Sequence, residues 1–171
     1  MSNYVFSAYG ISIEHPCSWQ VLISPRNNFT KDCGFVKIEE VNSQAESEVS
    51  LGLRWEKGET TSEEFVESYI NEISKQYKKK LKKDDKYQIL SKEIREINGH
   101  KGCIIESIYI GNSKLFDLTG KNNVDIKVIQ AAFFCDVTSR VVVGSISAKA
   151  DKMDEDYDNY LNLLLSIKCH L

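Results

Sequence analysis

The chain has no long hydrophobic run. Its apolar stretches fall far short of the roughly 20 residues that a membrane-spanning helix needs, so no transmembrane segment is expected. The first ten residues, MSNYVFSAYG, hold neither a basic region followed by an apolar run nor a lipid-attachment cysteine, and a cytoplasmic location is the expectation. A dominant charge is lacking too. Lys and Arg number 22 against 25 Asp and Glu, a net charge of −3, which gives no general attraction to nucleic acid or to anionic lipid. Five cysteines are an odd count with no paired short spacing, a pattern that fits reduced thiols in a cytosolic protein. There is no G-x-S-x-G nucleophile elbow, no G-x-G-x-x-G and no phosphate loop, so these routes to acyl transfer and nucleotide binding are closed. Repeats, low-complexity tracts and linkers are absent as well, and residues 1–171 are expected to form a single domain.

What is present is an ordered succession of strand and helix signals. Residues 124–150, VDIKVIQAAFFCDVTSRVVVGSISAKA, put apolar side chains on both faces of two adjacent strands, with residues 136–140 as the turn between them. A hairpin buried on both faces needs a layer above and a layer below. The helical signals at 61–83 and 154–168 are the natural covers. Thr61-Ser62-Glu63-Glu64 has capping-box spacing, and Phe65, Val66, Tyr69, Ile70, Ile73, Tyr77 and Leu81 then recur at three- and four-residue steps. Tyr157, Tyr160, Leu161, Leu164 and Ile167 form the corresponding stripe of the last helix, which Asp154 is expected to open. Asn98-Gly99-His100 separates two alternating runs, and its Asn-Gly pair is a strong hairpin signal, while residues 4–14, broken at Gly10, make an opening hairpin or a bent strand. Residues 35–41 and 49–55 add an antiparallel meander.

Gly10-Ile11-Ser12-Ile13, followed by Pro16 and Trp19, resembles the opening signature of the PsbP/Mog superfamily, and the closing helix ends in Leu165-Ser166-Ile167-Lys168 where such chains often have Ser-Phe. The resemblance runs through the capped helix, the Asn-Gly hairpin, the central hairpin and the closing helix. It implies an α+β fold, an α/β/α sandwich whose central antiparallel sheet is covered by helices on both faces. Members of that superfamily are mostly non-enzymatic: accessory subunits of photosystem II, a nuclear-import factor that binds a small GTPase, and lipoproteins of the DcrB and LpqN type. The matching residues are structural, so the resemblance assigns no site residue.

Candidate chemistry is sparse. His15-Pro16-Cys17 and His100-x-x-Cys103 each offer one imidazole and one thiolate, but neither is a ligand spacing, and a structural zinc site takes four ligands. Cys103 and Cys135 fall in strands, where a free cysteine packs as a small hydrophobe. Asp154, Asp156 and Asp158 imitate the start of a calcium loop, yet Asn159 stands where the glycine belongs and Leu165 where the bidentate glutamate belongs. The lysine-rich run 75–83 reads as a solvated helix end, and Trp19 and Trp55 read as core. No metal ligand, cofactor or catalytic residue is therefore expected. The segment 111–123 is long for a connection between strands and carries Leu115, Phe116 and Leu118 in a polar setting, which makes these three candidates either for contact with a protein partner or, folded back, for a seal over one end of the sandwich. The expected role is a non-enzymatic cytosolic binding or accessory module that presents loops to a protein partner. The alternatives are an enzyme whose site no motif marks, and a small-ligand carrier with an apolar pocket between sheet and helix.

Overall fold

The computed structural model describes residues 2–24, 29–44, 46–79, 85–111 and 124–170. It opens with a separate two-stranded ribbon, β1 (Asn3–Ala8) and β2 (Ile11–Pro16), turned by Tyr9 and Gly10 at φ of 54° and 79°. Positive φ at both central residues is what a two-residue hairpin turn demands. The meander follows as β3 (Gln20–Leu22), β4 (Cys33–Val41) and β5 (Ser47–Lys57). Helix α1 (Ser62–Lys78) comes next, then the hairpin β6 (Lys86–Ile97) and β7 (His100–Gly111). The hairpin β8 (Val124–Cys135) and β9 (Arg140–Lys149) leads into α2 (Ala150–Glu155) and α3 (Tyr157–Leu165).

Seven strands join in one antiparallel sheet in the order β3-β4-β5-β9-β8-β7-β6, so β8 and β9 occupy its interior. With three helices among the described residues this is an α+β fold. Thr61 caps α1: its hydroxyl accepts from the Glu64 amide at 3.3 Å, and Glu63 and Glu64 place acidic charge at the helix's positive end. Backbone pairing between β4 and β5 sets Gly34 opposite Trp55. A β-carbon at Gly34 would stand 2.2 Å from the Trp55 ring, so this strand position requires glycine for Trp55 to lie flat in the core.

Burial divides into two clusters. The larger gathers Ile11, Ile13, Val36, Ile38, Leu51, Leu53, Trp55, Ile104, Ala131, Phe133, Val142 and Ile146 with Met153, Tyr160, Leu164 and Ile167 of the last two helices and the segment after them. The smaller joins Val66 and Ile73 of α1 to Cys103, Ile105 and Ala132. Membership alternates along the strands: Cys103 and Ile105 against Ile104 on β7, Ala132 against Ala131 and Phe133 on β8. That is the period-two signature of a sheet whose two faces both bury side chains.

Three sequence expectations need correction. The last helical region starts at Ala150, four residues before Asp154, directly after the extended Lys149 (φ −57°, ψ 148°). It is also interrupted at Asp156, where φ −117° and ψ 20° leave the helical region and separate α2 from α3. The central turn is 136–139, because Arg140 pairs with Cys135 as the first residue of β9. His100, counted as part of the Asn98-Gly99 turn, is a buried strand residue opposite Ile97. Leu115, Phe116 and Leu118 lie outside the described residues. No helix among the described residues is long and apolar enough to cross a membrane.

Candidate functional site

Three pieces of chain meet at one end of the sheet. The first is the β6–β7 turn, where Asn98 and Gly99 take φ of 47° and 84° and deliver His100 into β7. Its Asn98 side-chain amide donates to the carbonyls of Leu165 at 2.9 Å and Ile167 at 2.5 Å, which ties the hairpin tip to the end of α3. The second is the end of β8, at Cys135. In the β7–β8 register Gly102 faces Phe133, and two more steps along both strands bring His100 level with Cys135. The third is the tail after α3. Lys168 exchanges two backbone hydrogen bonds with Ser12 at 2.9 Å each, and this bridge aims Cys169 and His170 at the other two pieces.

Together they place His100, Cys135, Cys169 and His170 with one nitrogen or sulfur each, all four atoms within 4.8 Å of one another. Cys169 Sγ lies 3.3 Å from His100 Nε2 and 3.2 Å from His170 Nδ1, and Cys135 Sγ lies 3.4 Å from His170 Nδ1. The Phe133 ring stacks on His100 with centroids 5.3 Å apart and planes 9° apart, and His170 stands edge-on to His100 at 5.3 Å. Cys135, Cys169 and His100 are buried and His170 is half-buried. Beneath them the buried Arg140 donates to the carbonyls of Tyr9 at 3.0 Å, Lys31 at 3.1 Å and Cys169 at 2.7 Å, joining the opening ribbon, the meander and the tail.

The electrostatics favour neutral groups. Burial, reinforced by the neighbouring His170, holds the His100 imidazole below its usual pKa, against a smaller opposing pull from Asp136. Burial, followed by the adjacent Cys135, pushes the Cys169 thiol well above its ordinary range, with Arg140 pulling weakly the other way. A nucleophilic cysteine needs the reverse, a lowered pKa and access to solvent. Cys169 is therefore poorly set up to attack a substrate, while the four donor atoms converge on a common centre.

No local pair from the sequence contributes as such. His100 and Cys103 are three residues apart on one strand, so they face opposite ways, and Cys103 packs in the α1 cluster. His15 is buried with Nδ1 3.0 Å from the Pro16 carbonyl, whereas Cys17 is exposed beside the Ser2 hydroxyl. No four ligands lie together in sequence, yet four nitrogen and sulfur atoms from distant segments converge in space. Trp55 lies in the core, its indole donating to the Thr30 carbonyl at 2.9 Å, and Trp19 packs on Tyr160. Beside Trp19 an open groove of about 580 Å³ is lined by Glu14, Glu40, Asp156, Tyr160 and Leu163. Its lining mixes carboxylates with aromatic and aliphatic side chains.

No family model matches the sequence, and a search among curated proteins gives no match. Solved structures do match. The solution structure of cyanobacterial PsbP (CyanoP) from Synechocystis sp. PCC 6803 superposes with a TM-score of 0.64 at 12% identity, covering 99% of this chain and 92% of that one. PA94 from Pseudomonas aeruginosa, a protein of unknown function, superposes with a TM-score of 0.50 at 10% identity, covering 96% and 94%. At such identities the likeness speaks for the fold alone, and that fold is PsbP-like.

Proposed function

We propose that this protein is a non-enzymatic cytosolic binding or accessory module, built as an α/β/α sandwich with α1 on one face of the sheet and α2 and α3 on the other. The layering is supported by the alternation of the two clusters along β7 and β8. The observation that carries the non-enzymatic reading is the state of Cys169: it is buried, and burial raises its thiol pKa, the reverse of the activation a nucleophile needs. All five cysteines are unpaired, in keeping with a reducing compartment. PA94, one of the structures of similar fold, is described as a candidate regulator, which suits a module that acts by binding.

In this reading the partner is a protein, met by the segment that carries Leu115, Phe116 and Leu118. The test compares the full chain with its Phe116→Ala variant as baits in an extract of the native cell. Thermal stability stays nearly unchanged while the protein that the wild type retains is lost from the variant. Unchanged capture with a loss of roughly 3 to 5 kcal/mol in stability would instead make Phe116 a core seal and end this assignment of the contact.

A further inference from the structure

We propose that His100 Nε2, Cys135 Sγ, Cys169 Sγ and His170 Nδ1 are the four ligands of a closed tetrahedral zinc site that locks the C-terminal tail onto the ends of the β6–β7 and β8–β9 hairpins. The site is independent of whether the surface binds a partner. Its donor set has the number and kind of a structural zinc centre, two thiolates and two imidazoles, with no open position for a substrate. Zn–S bonds of about 2.3 Å and Zn–N bonds of about 2.0 to 2.1 Å at tetrahedral angles separate sulfur from nitrogen by roughly 3.6 Å. Three sulfur–nitrogen distances, 3.2, 3.3 and 3.4 Å, lie slightly inside that figure, and all four donor atoms fall within 4.8 Å of one another.

Protons alone serve this arrangement badly. His170 Nδ1 carries either one proton or one lone pair, yet Cys135 and Cys169 both converge on it, and Cys169 faces His100 Nε2 as well. A single cation at the centre satisfies all four atoms at once. Binding exchanges charge without residue: Zn²⁺ displaces the two thiol protons to solvent, both imidazoles bind in the neutral form, and the site keeps a net charge of zero. Sulfur and imidazole donors exclude calcium and magnesium, which take oxygen ligands.

The donors are also held from behind. Phe133 stacked on His100 fixes the ring plane, Arg140 grips the Cys169 carbonyl, and the Ser12–Lys168 bridge with the Asn98 side chain positions the tail. None of these contacts uses a ligand atom. The main rival is a Cys135–Cys169 disulfide, which would consume both sulfurs and leave the two convergent imidazoles without a partner.

The test uses the full chain, purified with reductant and analysed for metal by mass spectrometry. One zinc per chain is expected. After zinc is stripped, Co²⁺ should give the visible bands and near-ultraviolet thiolate charge-transfer band of a tetrahedral sulfur–nitrogen site, bleached by one equivalent of Zn²⁺. His170→Ala, at the half-buried ligand and hence the least disruptive, should weaken zinc by at least about 100-fold in competition with a chelating dye, more than loss of a supporting contact. Cys169→Ser should do the same, while Cys17→Ala should not. A folded, reduced wild type that takes up neither zinc nor cobalt overturns the proposal. So does a Cys135–Cys169 disulfide in peptide maps of that protein, or zinc affinity and a cobalt spectrum unaltered in His170→Ala.

Discussion

The two buried clusters that alternate along β7 and β8 are closed by different means. The larger is locked by directional bonds between distant parts of the chain: Lys168 to Ser12, Asn98 to the end of α3, the Glu14 amide to Ser166 Oγ at 2.9 Å, and Arg140 to three carbonyls. The smaller depends on side-chain packing by α1, with Val66 and Ile73 buried and Phe65, Tyr69 and Ile70 half-buried. At its first turn α1 has two polar ties to the hairpins, Ser62 to Asp136 at 3.0 Å and an exposed Glu63–Lys101 pair at 3.2 Å. Exposed pairs of that kind contribute about 0 to 1 kcal/mol. An element held mainly by side-chain packing is expected to open before one tied by long-range hydrogen bonds. On that ground α1 is expected to be the looser cover and the segment at the cysteine–histidine end the firmer one.

The most severe way to break the comparison is Phe133→Asp. Phe133 is fully buried in the larger cluster, opposite Gly102 and Val142, and its ring supports His100. An unpaired carboxylate there has no solvent and no counter-ion among its cross-strand neighbours. The expected outcome is no cooperative thermal transition by circular dichroism. A soluble variant that melts cooperatively would show that the core is centred elsewhere.

Truncation on each side gives a graded comparison. Leu164→Ala removes a fully buried side chain that rests 3.0 Å from where a β-carbon on Gly144 would stand, so the cavity has little freedom to collapse. It should cost roughly 3 to 5 kcal/mol, and Ile73→Ala on α1 roughly 2 to 3, because a loosely held helix resettles over the gap. Urea unfolding of both variants measures the difference. Equal losses would mean that α1 is held as rigidly as α3.

Much of this architecture is legible in residue order. Asn98-Gly99 demands its turn, the Thr61 cap starts α1, and the apolar run of β8 requires cover on both sides. The start of α2 is illegible because β9 passes into it at Lys149 with no glycine, proline or asparagine to mark the change. The four-donor cluster is hidden for a topological reason. Its members sit on three segments, and the only spacing that catches the eye, His100 to Cys103, is an odd step on a strand and points its ends apart. Adding the register recovers half of it, since Gly102 opposite Phe133 brings His100 level with Cys135. The tail bridge to Ser12 follows from no local pattern.

The mildest perturbation uses side chains already in place. Cys103 lies in the α1 cluster, and Trp19 and Trp55 both lie in the other, so thiol alkylation and tryptophan emission report separately on the two. Burial pushes the Cys103 thiol from 9.0 up to about 12, so in the closed protein it is protonated and inert at about pH 8. An acid whose pKa is raised by folding keeps its proton longer in the folded chain, and stability is lost as pH climbs above the unfolded value of 9.0. By about pH 10 that loss is roughly 1.4 kcal/mol for this one group. Substituting Cys103→Ala should flatten the decline between about pH 9 and 10 by roughly 1.0 kcal/mol of that in urea titrations. In dilute urea at about pH 8, peptide mapping should find Cys103 alkylated before tryptophan emission shifts, because opening α1 exposes the thiol while the larger cluster remains closed. Alkylation that waits for the emission change would mean the two clusters open as one unit, and the contrast between them would be one of geometry alone.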